Sequence, residues 1–279
     1  MTPKQTIFAV RQVTLLILLW PVANLVWRWW MDLFGPKPVT EAIHWTGDWT
    51  VVFLLATLAL TPARALFGWQ PFVSIRRRVG VATALYALLH LTLYALDQNL
   101  NLVFVASEII KRIYLTIGFT ALLLLQVLAV TSTDGWQRKL KKNWKRLHQA
   151  IFVILALALV HFLMQSKLNI ADATFAAGLA AWLVMWRLLP RRWRNSVAGL
   201  TLITLAAPVI TVGVETAWYG WVNHVNALRV FYANFNPALA PRPALKVLLA
   251  GLAVLLYAVA RRLFELWRTR RRTAPLAAE

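Results

Sequence analysis

The chain contains no cysteine. Disulfide staples, iron–sulfur clusters, thiolate zinc sites and covalent c-type haem attachment are therefore excluded, because each needs thiols. Charge is scarce too. Charged residues make up 14% of the 279, against roughly a quarter in ordinary soluble domains. A soluble fold of this length would need far more polar surface. Also missing is the strand, Gly-rich turn and helix, followed about 20 positions on by an acidic residue, that a dinucleotide-binding unit requires. The loops leave no room for a soluble domain: 132–146 has 15 residues and 215–243 has about 29.

What is present is apolar. Hydrophobic residues reach 60% and the mean hydropathy is +0.61. They fall into blocks long enough for membrane-spanning helices, over roughly 8–27, 44–61, 79–96, 113–131, 147–164, 171–189, 197–214 and 244–260. The expected class is all-α, a polytopic membrane helix bundle. The first block is followed by Trp27, Arg28, Trp29 and Trp30, an interfacial aromatic cluster and not a small-residue cleavage site, so it reads as a retained anchor. Pro21 within it is tolerated in a membrane helix and can kink it.

The net charge of +20 would ordinarily raise nucleic acid as a partner. Its distribution argues otherwise. One face collects Lys4, Arg11, Arg64, Arg76, Arg77, Arg78, the 138–146 cluster (Arg138, Lys139, Lys141, Lys142, Lys145, Arg146), Arg187, Arg191, Arg192, Arg194, Arg261, Arg262, Arg268, Arg270, Arg271 and Arg272. That is 22 of the 30 basic residues, offset only by Asp134, Glu265 and Glu279, so this face carries about +19 and the other about +1. Short juxtamembrane loops with such a bias mark the cytoplasmic side. Both termini are expected there, with an even number of spans. The expected partners of these basic residues are lipid headgroups, with no nucleic acid.

An ionisable residue inside a span is costly and is read first as functional. Of the five histidines, His90 lies about 16 Å and His161 about 21 Å up their helices from the basic side. Helix tilt absorbs a mismatch of about 5 Å. The two can face each other in the outer half of the membrane with a porphyrin between them, since a six-coordinate b haem needs two imidazoles from different helices. Two histidines at similar depth also fit interhelical hydrogen bonding, and that alternative stays open. His148 lies about 20 Å below His161, where Arg76, Arg77 and Arg78 would face it and no second imidazole is available. One haem is supported; a second lacks an obvious ligand. On an ideal helix His148 and His161 stand roughly 140° apart, so both face one interior only if the helix bends. His148 can equally be a boundary residue. His44 reads as capping or interfacial, and His224 as structural or solvent-exposed.

Several runs in the right order resemble one known family. They are His44-Trp45-Thr46-Gly47, Phe53-Leu54-Leu55-Ala56-Thr57 running to Thr61-Pro62, Arg77-Arg78 with Leu88-Leu89-His90-Leu91-Thr92 and Tyr94, then Thr131-Ser132-Thr133, Gln137-Arg138-Lys139-Leu140, Trp144, Leu147-His148 and His161. Residues 40 to 190 are thus similar to the MsrQ (formerly YedZ) family, the haem-binding membrane subunit of a periplasmic methionine sulfoxide reductase system. That family sits in the ferric-reductase-like transmembrane superfamily with the NADPH oxidases and the STEAP reductases. The resemblance implies a six-helix core over 1–194, beyond which 195–279 would form a two-helix membrane extension with a basic tail. It implies electrons relayed from quinol, or a cytoplasmic flavin reductase, to a periplasmic molybdopterin partner of the MsrP kind, in support of repair of oxidised envelope proteins. It implies b haem and flavin mononucleotide as cofactors. His90 and His161 fall on its haem-ligand positions and His148 on its inner histidine. The chain would be an electron-transfer subunit with no catalytic substrate site of its own.

For the flavin, an anionic phosphate would find Arg76, Arg77, Arg78 and Arg138 at the inner face. The turn at Ser132 and Thr133 could add hydroxyl and backbone donors, and Trp144 could stack on an isoalloxazine. These arginines also satisfy the positive-inside rule without any flavin. A stand-alone ferric reductase is disfavoured because no nicotinamide or FAD domain is present. A transporter or scaffold would show broken helices in corresponding positions of two halves, and none is seen. The 215–243 loop carries Trp218, Tyr219, Trp221, Phe231, Tyr232 and Phe235 with Pro237, Pro241 and Pro243, and is expected to lie on the membrane surface or over a docking site.

Overall fold

A computed structural model describes residues 2–236 and 238–273, the side chains of Pro3 and 270–273 excepted. Pro237, Glu279 and the side chains of Arg270, Arg271 and Arg272, named above, lie outside the described residues. Those residues are helical with short connections and contain no strand. The helices are α1 (Pro3–Trp30), α2 (Pro38–Phe67), α3 (Pro71–Asp97), α4 (Leu102–Lys111), α5 (Ile113–Val130), α6 (Asp134–Leu140), α7 (Lys142–His148), α8 (Ile151–Gln165), α9 (Ala171–Leu188), α10 (Val197–Trp221), α11 (Ala227–Ala233) and α12 (Pro243–Thr273).

Their ends follow local chemistry. Proline opens α1, α2, α3 and α12, where its missing N–H would be unpaired anyway. Thr2 and Gln5 form a capping box on α1, Asn101, Thr133, Ser196 and Asn226 cap α4, α6, α10 and α11, and Gly68 closes α2 in the left-handed region, φ 67°.

Seven segments are long and apolar enough to cross a membrane: α1, α2, α3, α5, α7 together with α8, α10 and α12. The eighth expected span is present as α9. Asp172 and Arg187 sit at its two ends and its middle is built of alanine and glycine, so it is less apolar than the others. Ala173, Thr174, Ala176, Gly178, Ala180 and Trp182 on it are buried, packed with α10 and α12. The molecule is a multi-pass membrane helix bundle.

The helices group into two compact units, one holding α1–α8 and ending at Lys167, the other starting at Leu168 and holding α9–α12. The boundary drawn at 194 falls within the second. In that unit small residues allow close approach: a Cβ on Gly178 would run into the Thr211 hydroxyl, and one on Gly251 would lie 2.8 Å from Thr204 Cγ2. Glu215, fully buried on α10, is held by Arg242 at 2.8 Å and Asn234 at 2.9 Å, which ties the loop around α11 to the helix. Trp218, Tyr219 and Trp221, expected in that loop, ride instead on the last turn of α10.

In the first unit, α2 packs on α3, α3 on α5, α5 on α8 and α8 on α2, a closed ring of four helices with α1 against α2 and α3. Hydroxyls inside it are paired along their own helices. Thr46, Thr57 and Thr83 each donate to the carbonyl four residues back, at 2.9, 2.8 and 2.9 Å. Pro21 interrupts the ladder of α1. The Tyr86 hydroxyl enters the gap, accepting from the Val22 N–H at 3.2 Å and donating to the Leu18 carbonyl at 2.7 Å, two groups that pair directly in an unbroken helix. Trp45 Nε1 donates to the Pro21 carbonyl at 3.0 Å.

Candidate functional site

His90 projects from α3 and His161 from α8, the two helices on one diagonal of the ring. Their ring centroids lie 6.3 Å apart with planes at 85°. Each ring is tied by Nδ1–H to a backbone carbonyl of the helix beside it: His90 to Ile43 on α2 and His161 to Tyr114 on α5, both at 2.8 Å. Tyr114 also stacks on His161, with 26° between the rings.

This arrangement fixes the tautomer. With Nδ1 protonated and occupied, Nε2 of each ring keeps its lone pair, and no partner for it is found among the described residues. A metal held by two imidazole nitrogens at about 2 Å each sets those atoms about 4 Å apart. Adding the half-width of each five-membered ring brings the centroids close to the separation observed. A carbonyl behind each ligand imidazole is also the usual support at metal sites, where it fixes ring orientation and raises basicity. The pair therefore fits the two axial positions of a haem.

The other expected site residues gather at the basic end of the bundle. His148 closes α7, and the chain turns at Gln149 and Ala150 before α8 begins. That break separates the two histidines that an ideal continuous helix would hold out of phase. Both His148 nitrogens are engaged, Nδ1 with the Trp144 carbonyl at 3.1 Å and Nε2 with the Ser132 hydroxyl at 3.3 Å. Trp144 stacks on His148 at 3.9 Å and donates from Nε1 to the Thr131 carbonyl at 2.9 Å. Thr133 caps α6 by accepting from the Trp136 N–H. Arg77 donates to the Ser132 carbonyl at 3.2 Å and pairs with Asp134. That hydrogen bond and the guanidinium charge hold the Asp134 carboxyl below the ordinary carboxylate range. Arg78 differs: its Nη1 is buried and without a partner. Arg76 and Arg138 are exposed.

The structure thus joins His90 with His161 at one level, and Arg77, Ser132, Trp144 and His148 at another. His44 is exposed on α2, and His224 is exposed with φ 54°. Sequence reasoning passed over the Ile43 and Tyr114 carbonyls and over Gly118, which faces His161. A glycine one turn beyond a carbonyl, at the histidine's level on the adjacent helix, is the signal that would have found them.

A ring of four apolar helices with paired, backbone-anchored imidazoles defines a membrane component of the ferric-reductase-like class. Accordingly, the family model described as ferric reductase like transmembrane component matches residues 46–159. The relatives narrow this further. The protein-methionine-sulfoxide reductase heme-binding subunit MsrQ of Xanthomonas campestris pv. campestris (strain B100) is 43% identical over 195 residues, 67% of this chain and 88% of that protein. Its namesake from Xanthomonas oryzae pv. oryzae (strain MAFF 311018) is 41% identical over the same span, and that of Rhodospirillum rubrum 39% identical over 194 residues, 68% of this chain and 91% of the relative. No solved structure matches. The chain belongs to the MsrQ family.

Proposed function

We propose that this chain is a membrane cytochrome b that carries electrons across the inner membrane, from quinol or a cytoplasmic flavin reductase to a periplasmic molybdopterin methionine sulfoxide reductase. Both termini would face the cytoplasm, as the one-sided charge directs. The observation that carries the reading is the His90–His161 pair: two anchored imidazoles, 6.3 Å between centroids, each with Nε2 free. The relatives named as heme-binding subunits support it.

A haem held by His90 and His161 would supply one-electron redox chemistry. The chain's part would be to hold two neutral imidazoles by their backbone anchors and to exclude water with the apolar walls of α2, α3, α5 and α8. With both imidazoles committed to it, this chain would offer that group no open position for a substrate. At the basic end, the buried, unpartnered Nη1 of Arg78 supports an anionic group such as the phosphate of FMN. Ser132, Thr133 and Trp144 are engaged within the chain and would exchange those contacts to take part. His148, with both nitrogens bonded, would act there by hydrogen bonding through Ser132.

The test is a reduced-minus-oxidised spectrum of the detergent-purified protein, with pyridine haemochrome quantification and flavin extraction. Wild type is expected to show haem b, and His90→Ala and His161→Ala each to lose it. A colourless wild type under adequate haem supply, or full haem in both variants, overturns the reading.

A further inference from the structure

Each imidazole of the pair rests on a glycine of the helix beside it. A Cβ built on Gly47 of α2 would lie 3.1 Å from His90 Cε1 and 3.2 Å from Nδ1. One on Gly118 of α5 would lie 2.6 Å from His161 Nδ1, 2.7 Å from Cε1 and 2.9 Å from Cγ. Each glycine comes four residues after the carbonyl that receives the same ring's Nδ1–H, Ile43 before Gly47 and Tyr114 before Gly118. In both cases the acceptor precedes its histidine by 47 residues. The same three-part arrangement therefore occurs twice, once on the α2–α3 pair and once on α5–α8.

Glycine inside a helix is destabilising against alanine. Here its lack of a side chain lets the ring lie against the helix backbone and reach a carbonyl one turn back. Anchored at one nitrogen and pressed on a flat patch of backbone, the ring loses its freedom to turn about Cβ–Cγ. Two such seats, on opposite sides of the ring of helices, leave the imidazole planes at 85°.

We propose that Gly47 and Gly118 are positioning residues, two copies of one cradle that set the rotation of the axial imidazoles and hold their planes perpendicular. The proposal rests on the haem reading above. Perpendicular axial planes bring the iron orbitals close in energy and give ferric low-spin haem a strongly anisotropic paramagnetic resonance signal. Parallel planes give a rhombic one. The orientation of the ligand is one of the protein's means of tuning such a centre.

The experiment compares the full-length, haem-loaded wild type with Gly118→Ala, Gly47→Ala and Gly80→Ala, reading the ferric resonance spectrum, the midpoint potential and the haem-to-protein ratio. Gly80 is the control: it lies on α3 with His90, and a Cβ there meets only Thr57 Cγ2 at an ordinary 3.6 Å. The strongly anisotropic signal is expected in wild type and Gly80→Ala. Gly118→Ala should replace it with a less anisotropic or high-spin signal and shift the potential, and Gly47→Ala, whose contact is looser, should do the same to a smaller extent. A wild-type signal and potential in Gly118→Ala overturns the proposal, as does an equal change in Gly80→Ala. Should Gly118→Ala not accumulate, an unaltered Gly47→Ala overturns it. Haem that depends on both histidines but ignores the glycines sinks this inference alone, whereas a colourless wild type sinks the haem reading with it.

Discussion

The three consecutive arginines of α3 meet three different surroundings. Arg76 is exposed, Arg77 is paired with Asp134 and the Ser132 carbonyl, and Arg78 has a buried nitrogen with no partner. A desolvated guanidinium group left unpaired is costly, which makes Arg78 the one to watch for an anion. Arg78→Gln is expected to lower the FMN that co-purifies by several-fold and Arg76→Gln to leave it unchanged; equal flavin in both would remove the site from this end. Asp134 behaves as a depressed carboxylate. Its pairing with Arg77 is complete above the ordinary carboxylate range and is lost only as pH falls through its lowered value, so a carboxylate titration of the purified protein should place its midpoint below the ordinary carboxylate range, and Arg77→Gln should raise it. At this scale depth put His90 and His161 near one level, because helical rise converts position into height, but left haem ligation and interhelical hydrogen bonding both open. The carbonyls and glycines that seat them were not legible, since their role appears only when a second helix is brought alongside.

Among the elements, α1 depends on its neighbours. The Tyr86 hydroxyl of α3 bridges the Val22 N–H and the Leu18 carbonyl beside Pro21, and the Trp45 indole of α2 donates to the Pro21 carbonyl, so the interruption is held from outside the helix that contains it. Tyr86→Phe keeps the ring packing against Phe53 and removes only the bridge. Interhelical hydrogen bonds in membranes average about 0.6 kcal/mol, with a maximum near 1.7, and a loss toward the upper figure is expected because two backbone groups are left without the hydroxyl. Denaturant titration in micelles would measure it; an unchanged midpoint would show that α1 recloses the ladder by itself. The long spans were visible in the sequence as apolar blocks. The short helices α4, α6 and α11 were not, because seven to ten residues between spans carry no long apolar run, and their caps at Asn101, Thr133 and Asn226 are single polar residues in polar loops.

For the whole molecule, charge asymmetry and helix packing speak to different things. The basic face predicts sidedness, and the absence of cysteine makes the chain its own background for measuring it. A single cysteine placed at Lys142 should react with an impermeant maleimide only from the cytoplasmic side, and one at Val103 on exposed α4 only from the periplasmic side. Labelling of both from one side would refute the proposed orientation. Packing, by contrast, groups α9 with α10 and α12, a grouping that block length and hydropathy could not reveal, since buried small residues decide it.

The two histidine anchors are unequally protected. Ile43 is the sixth residue of α2, about one turn further in than Tyr114, the second residue of α5, and helices fray first at their ends. The pair consequently has an order of failure. With the proposed haem in place, gentle warming should slacken the grip of His161 while His90 still holds, so that carbon monoxide added to the reduced protein enters on the α8 side well before the bundle itself melts.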